Sequence, residues 1–174
     1  MALSYEMRCL IDDLTQDIIR EYDISIPIFD IDEIVKRMGG VVKESDLLSE
    51  YSDGCIKKVG DGFEIVVSQL QPENRRNFTI AHELGHLFLH MGYKIDADRW
   101  NSQQSTYYRK GGSVQEHEAN EFAAALLMPR KEYKKIMDRY TEGNHVFTPK
   151  IAEEFHVSIN AASNRGKWLG YLQW

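Results

Sequence analysis

His82, Glu83 and His86 stand in the order H-E-x-x-H within the stretch Phe78-Thr-Ile-Ala-His-Glu-Leu-Gly-His-Leu-Phe-Leu-His90. Residues four apart on an α-helix lie one above the other, so the two imidazoles can each turn a ring nitrogen toward one point, while the glutamate sits beside them without having to be a ligand. Two imidazoles so spaced suit a zinc ion, and a nearby carboxylate that stays off the ion can take a proton from water. The chemistry open to this pattern is metal-assisted hydrolysis.

The surrounding residues favour a helix with one chemical face. At a helical step of about 100° per residue, Thr79, His82, Glu83, His86 and His90 share one arc, and Ile80, Ala81, Leu84, Leu87, Phe88 and Met91 take the opposite side. Pro72 and Glu73 suit a first turn, which puts the helix start near Gln71. Five residues can match such a pattern by chance, so the assignment depends on further ligands. A hydrolytic zinc site uses three protein ligands and leaves the fourth position to water.

The two cysteines, Cys9 and Cys55, are isolated and read as ordinary reduced thiols. A better source of the third ligand is Val114-Gln-Glu-His-Glu-Ala-Asn-Glu-Phe-Ala-Ala-Ala-Leu-Leu-Met-Pro129, an alanine-rich helical pattern ended by proline. Glu116, Asn120, Ala123 and Leu127 line one stripe of it, beside an apolar face of Ala119, Phe122 and Leu126. The small side chains of Ala119 and Ala123 allow two helices to approach closely, which brings Glu116 within reach of an ion held by His82 and His86. Asn120, one turn on, can then orient a ligand from behind. His117 is a competing donor whose angular offset makes it an exposed histidine, and Glu118 and Glu121 fall toward a solvated side.

With those residues in place, His82-Glu-Leu-Gly-His86 followed by Glu116-His-Glu-Ala-Asn-Glu-Phe-Ala-Ala-Ala-Leu-Leu-Met-Pro129 closely resembles the ImmA/IrrE family of bacterial and phage metallopeptidases, which are gluzincin-like proteins. The resemblance covers the span from about Asp53 to Pro129 and is weak outside it. It implies a cytoplasmic protease that cleaves a helix-turn-helix repressor and so relieves repression of a mobile element or stress regulon. Carried over by position, His82, His86 and Glu116 would be the metal ligands, with Glu118 as the fallback, and Glu83 the catalytic base. The ion would be Zn²⁺, with Mn²⁺ or Fe²⁺ open to the same donors. Tyr107, Tyr108, His90 and His145 are all candidates for stabilising the oxyanion, and the sequence does not choose among them.

The elements that must position these residues imply an α+β fold: a helical zincin-like domain with a small antiparallel β-sheet packed beside the H-E-x-x-H helix. Helical spacing runs through Met7, Leu10, Ile11, Leu14, Ile18 and Ile19, and Asp30 to Met38 forms a shorter helix with Asp30 and Glu33 placed as a capping box. Strands follow at about Gly40 to Lys43, Asp53 to Val59 and Phe63 to Ser68, the last two joined by Gly60-Asp61-Gly62 as a hairpin. That hairpin is a candidate rail for extended substrate. The expected organisation is one domain: N-terminal helices to residue 39, the sheet over 40–70, the metal-binding helices and their loop over 71–129, and C-terminal helices from 130 to 174. Between the metal-binding helices, Gly92 to Ser113 is polar and carries Trp100, Tyr107 and Tyr108, as a lid over the cleft would.

Charge and composition bound the partners. Among 174 residues the net charge is -6, which argues against a dominant nucleic-acid surface. Met1 to Leu14 lacks the pattern of a signal peptide and no apolar run reaches the length of a membrane span, so the expected location is the cytosol. The rival function lies in the tail, where Thr148-Pro149 opens a helix and a second one runs from Ile159 to Trp168 with the cadence of a helix-turn-helix. This alternative is a metal-containing regulatory or DNA-binding protein that acts without proteolysis. Only Lys150, Arg165 and Lys167 oppose Glu153 and Glu154 there, and the balance favours a structural hairpin. His156 stands where a turn glycine is common.

Overall fold

Residues 3–46, 53–104 and 113–173 are described by the computed structural model of the chain. The N-terminal helix α1 (Tyr5–Glu21) begins where the Ser4 hydroxyl accepts a bond from the Met7 amide, and it turns Ile11 and Ile18 inward. Leu10, placed by spacing on the same stripe, is exposed. Helix α2 (Ile31–Arg37) is capped by Asp30, whose carboxylate accepts from the Glu33 amide at 3.0 Å.

Three strands follow, β1 (Gly40–Ser45), β2 (Gly54–Val59) and β3 (Gly62–Ser68), in the spatial order β1-β3-β2. The expected hairpin is present, with β2 antiparallel to β3 and Ile56 opposite Ile65. The sheet is nevertheless mixed rather than antiparallel, because β1 joins the far side of β3 in parallel, Gly40 facing Phe63 and Ser45 facing Ser68. Alternating apolar residues identify a strand but carry no information about which neighbour it pairs with or in which direction. Buried Glu64 on the central strand accepts ion pairs from Lys43 of β1 at 2.5 Å and Lys57 of β2 at 3.1 Å, so one carboxylate ties all three strands.

Helix α3 (Glu73–Gly85) lies between this sheet and the long helix α5 (Ser113–Leu127). The two helices approach closely at Gly85: a β-carbon there would stand 2.9 Å from Ala119 Cα and 3.2 Å from Phe122 Cβ. Only a pair of small residues permits that separation, as Ala119 in the sequence foretold. Helix α3 then widens into a π-helical segment over His86–His90, where the Met91 amide bonds the His86 carbonyl. A short helix α4 (Ala97–Ser102), capped by Asp96, forms within the segment expected as a lid; Tyr107 and Tyr108 lie outside the described residues.

The C-terminal part contains α6 (Arg130–Arg139), a two-residue hairpin of β4 (Thr141–Glu142) and β5 (His145–Val146), α7 (Thr148–Glu154) and α8 (Ile159–Trp168). Buried Tyr133 of α6 donates to the Ala162 carbonyl of α8 at 2.7 Å. The turn between α7 and α8 places His156 at φ 54, the left-handed region that a glycine would occupy at less cost. Arg165 of α8 is only 2% exposed and points into the molecule, donating to Glu121 of α5, Asp12 of α1 and the Met128 carbonyl. Glu121 also pairs with Arg8, so it is a buried junction of three helices rather than the solvated carboxylate expected from its helical angle. No helix among the described residues is long and apolar enough to cross a membrane.

Candidate metal centre

His82 of α3 and His86, the first residue of the π-helical segment, lie one turn apart and their Nε2 atoms approach to 3.1 Å. Helix α5 brings Glu116 against both: Oε2 lies 3.3 Å from His82 Nε2 and Oε1 lies 3.4 Å from His86 Nε2. Three donor atoms, one from each residue, fall within 4.8 Å of one another. Ligand atoms held about 2.0–2.1 Å from a tetrahedral zinc stand about 3.3–3.4 Å apart, so the spacing of this set suits such an ion. The chemistry agrees. Lone pairs and a carboxylate facing one another repel unless a cation lies among them.

Each imidazole is held from behind. His82 Nδ1 lies 3.0 Å from Asn120 Oδ1; since the amide oxygen can only accept, the ring proton sits on Nδ1 and Nε2 presents its lone pair inward. His86 Nδ1 meets His90 Nδ1 at 2.9 Å, and His90 Nε2 meets Glu118 Oε2 at 3.0 Å. Burial keeps both rings neutral, as metal ligation requires. It lowers His86 to about 3, with the charges of His82 and His90 acting in the same direction, and it lowers His82 despite the opposing charge of Glu116.

Glu83 sits on the same helix, 6% exposed. Burial first, and then the charge of Glu116, pushes its carboxyl up to about 8 in the metal-free protein. Strand β2 covers it: a β-carbon on Gly54 would lie 2.6 Å from Thr79 Cγ2 and 3.3 Å from Glu83 Oε1. Among the described residues β2 is an edge strand, and its first residue, Gly54, is where it meets this carboxylate. The Thr79 hydroxyl is in turn bonded to Gln71 Oε1 at 3.0 Å.

The structure thus brings together His82, Glu83, His86, Glu116 and Asn120, and it leaves His117 exposed. It redirects three other expectations. Glu118 is neither solvated nor a donor within the cluster, but is largely buried against His90. His90, a candidate for the oxyanion, has its ring nitrogens against His86 and Glu118 instead. His145 is exposed on the β4–β5 hairpin. Two contributors were missed: the His90–Glu118 pair, signalled only by His90 standing four residues after His86, and Gly54, for which nothing in the sequence spoke.

A search of curated proteins gives no match. Among solved structures, that of a Mycobacterium tuberculosis transcriptional regulator is similar, with a TM-score of 0.61 and 19% identity over 89% of this chain and 45% of that one. The chain therefore spans less than half of that protein, and the likeness is one of fold. The model of a peptidase family, described as the IrrE N-terminal-like domain, matches residues 35–167. That match takes in the sheet, both helices that bear the donor cluster and most of the C-terminal helices, and the chain belongs to the IrrE N-terminal-like peptidase family.

Proposed function

We propose that the chain is a zinc-dependent endopeptidase of the cytosol whose substrate is a helix-turn-helix transcriptional repressor of a mobile element or stress regulon. The observation that carries this reading is the convergence of His82 Nε2, His86 Nε2 and Glu116 at the separations of a tetrahedral ion, with Glu83 beside them. Membership of a peptidase family supports hydrolysis, and the likeness to a transcriptional regulator is consistent with a regulatory setting.

His82, His86 and Glu116 would hold the ion, which supplies Lewis acidity that lowers the pKa of water and polarises a peptide carbonyl. The residues of the chain do the rest. Asn120 fixes His82 in the ligating tautomer. Glu83, with no hydrogen bond to another side chain among the described residues, accepts the proton of the attacking water at a carboxylate oxygen and returns it to the leaving nitrogen. A divalent ion held there would lower the pKa that burial has raised and so favour the ionised carboxylate of Glu83. An extended peptide laid along the outer edge of β2 would pass directly beside Glu83.

Cleavage of the repressor encoded beside the gene tests the whole reading. Metal-loaded protein is expected to produce discrete fragments, and excess chelator is expected to abolish them. An intact repressor under metal-loaded conditions would overturn the assignment of this substrate. The Gly54 contact gives a local test: Gly54→Val drives methyl groups into Thr79 and Glu83 and is expected to lower kcat/KM by about tenfold or more while metal content stays whole. An unchanged kcat/KM would remove β2 from the site.

The alternative is a DNA-binding role for α7 and α8, and their helix-turn-helix order is the feature in its favour. Of the three cations there, Arg165 is buried and Lys150 pairs with Glu153 at 2.8 Å. No salt-sensitive shift of duplex DNA is therefore expected from the purified chain, and a clear one would restore that role.

A further inference from the structure

His86 carries an unusual partner. A metal-ligating imidazole normally donates its second N–H to a carboxylate, a carbonyl or water. Here the partner of His86 Nδ1 is another imidazole nitrogen, His90 Nδ1, at 2.9 Å. Two ring nitrogens can bond only if one is protonated and the other is not. The tautomers are decided at the far end of the chain of contacts: Glu118 Oε2, 3.0 Å from His90 Nε2, accepts, so His90 carries its proton on Nε2 and leaves Nδ1 as a lone pair. His86 must then donate from Nδ1, which turns the lone pair of Nε2 toward His82 and Glu116.

We propose that His90 and Glu118 are positioning residues for the metal centre: a relay from Glu118 through His90 sets the tautomer and orientation of His86. The inference rests on the metal-site reading above and goes beyond it, because neither residue lies among the three convergent donors. His86 and His90, four residues apart within the π-helical segment, meet ring to ring with centroids 5.0 Å apart. Glu118 reaches the pair from α5, so the relay also ties that helix to the π-helical segment that follows α3. The His82 branch is simpler, needing only Asn120.

The relay is tested by metal affinity, measured by competition with a chromophoric chelator, and by the visible absorption of the Co²⁺-loaded protein. His90→Leu removes both hydrogen bonds and is expected to weaken affinity by about 10–100-fold, with a changed Co²⁺ spectrum. His90→Gln is the rescue: its amide oxygen accepts from His86 while its NH₂ donates to Glu118, so affinity is expected to stay within a few-fold of wild type. Glu118→Leu, which removes the acceptor for His90 Nε2, is expected to fall between the two. A role confined to packing would make the two His90 variants alike, and equal affinity for both would overturn the relay. Should His90→Leu fail to fold, Glu118→Leu decides, since it offers His90 Nε2 no acceptor: affinity and spectrum identical to wild type overturn the proposal. If wild type itself binds no metal, the functional reading falls together with the relay; if wild type binds and only the variants show no effect, the relay alone falls.

Discussion

Glu83→Gln is expected to remove turnover while leaving the metal in place. A positioned general base contributes about 10²–10⁴-fold, and Gln keeps the shape of the side chain but cannot accept the proton of water. The three donor atoms belong to His82, His86 and Glu116, so metal content and affinity should match wild type. A variant that retains more than a tenth of wild-type kcat with full metal would remove Glu83 from the role of base.

The same substitution has a second, independent readout in the metal-free protein. The carboxyl of Glu83 is pushed from 4.5 to about 8 by burial and by Glu116. Its folded pKa is thus raised, so its contribution to stability is present below about pH 4.5 and is lost as pH rises through about 8. Metal-free Glu83→Gln carries no such group and is expected to melt above metal-free wild type at pH 8, the two converging near pH 5. His86, lowered to about 3, acts oppositely, with a contribution present above its ordinary value of 6.5 and lost as pH falls toward 3. Both proteins contain it, so it cancels in the comparison. Parallel melting curves across pH 5 to 8 would show that Glu83 is not the buried acid described.

Arg165→Leu is expected to be the most damaging substitution away from the metal centre. Its guanidinium is 2% exposed and donates at 2.9 Å to Glu121, at 2.7 Å to Asp12 and at 3.1 Å to the Met128 carbonyl, which joins α8 to α5 and α1. Removing one partner of a buried ion pair leaves the others desolvated and unpaired, at a cost of about 3–5 kcal/mol. For a chain of this length each kcal/mol lowers Tm by about 2–4 °C, so a fall of about 6–20 °C is expected in a thermal melt. Arg165→Lys is expected to recover little, because a single ammonium cannot address three acceptors arranged around a planar fork. A loss below 1 kcal/mol for Arg165→Leu would mean that Glu121 is sustained by Arg8 alone.

Much of the donor cluster was legible before any tertiary contact was known. The spacing of His82 and His86, the neutral position of Glu83 between them, the stripe that carries Glu116 and Asn120, and the small Ala119 facing a neighbour are all consequences of helical periodicity. That periodicity is a local property of the backbone, set by hydrogen bonds between residues four apart, so residue order alone determines it. Helical spacing likewise foretold α1 and α2, and other local signals foretold the rest: strand patterning with the Gly60-Asp61-Gly62 turn for the β2–β3 hairpin, and Asp30 for the cap of α2.

Where the inference depended on which element lies against which, the sequence was silent or misleading. Helical angle placed Glu118 and Glu121 toward solvent, but angle says only which way a side chain leaves its own helix, and here α1, α8 and the end of α3 occupy that side. The α-helical wheel also put His90 on the same arc as the ligands, but its ring nitrogens meet His86 and Glu118 rather than the cluster. The parallel pairing of β1 and the approach of Gly54 to Glu83 join residues distant in the chain. Residue order determined the chemistry available to the H-E-x-x-H helix, because the spacing of its donors is local. Only the packing of α5 and β2 against that helix decided which carboxylate completes the cluster, which groups hold the imidazoles and which strand lies against Glu83, because those are contacts between elements.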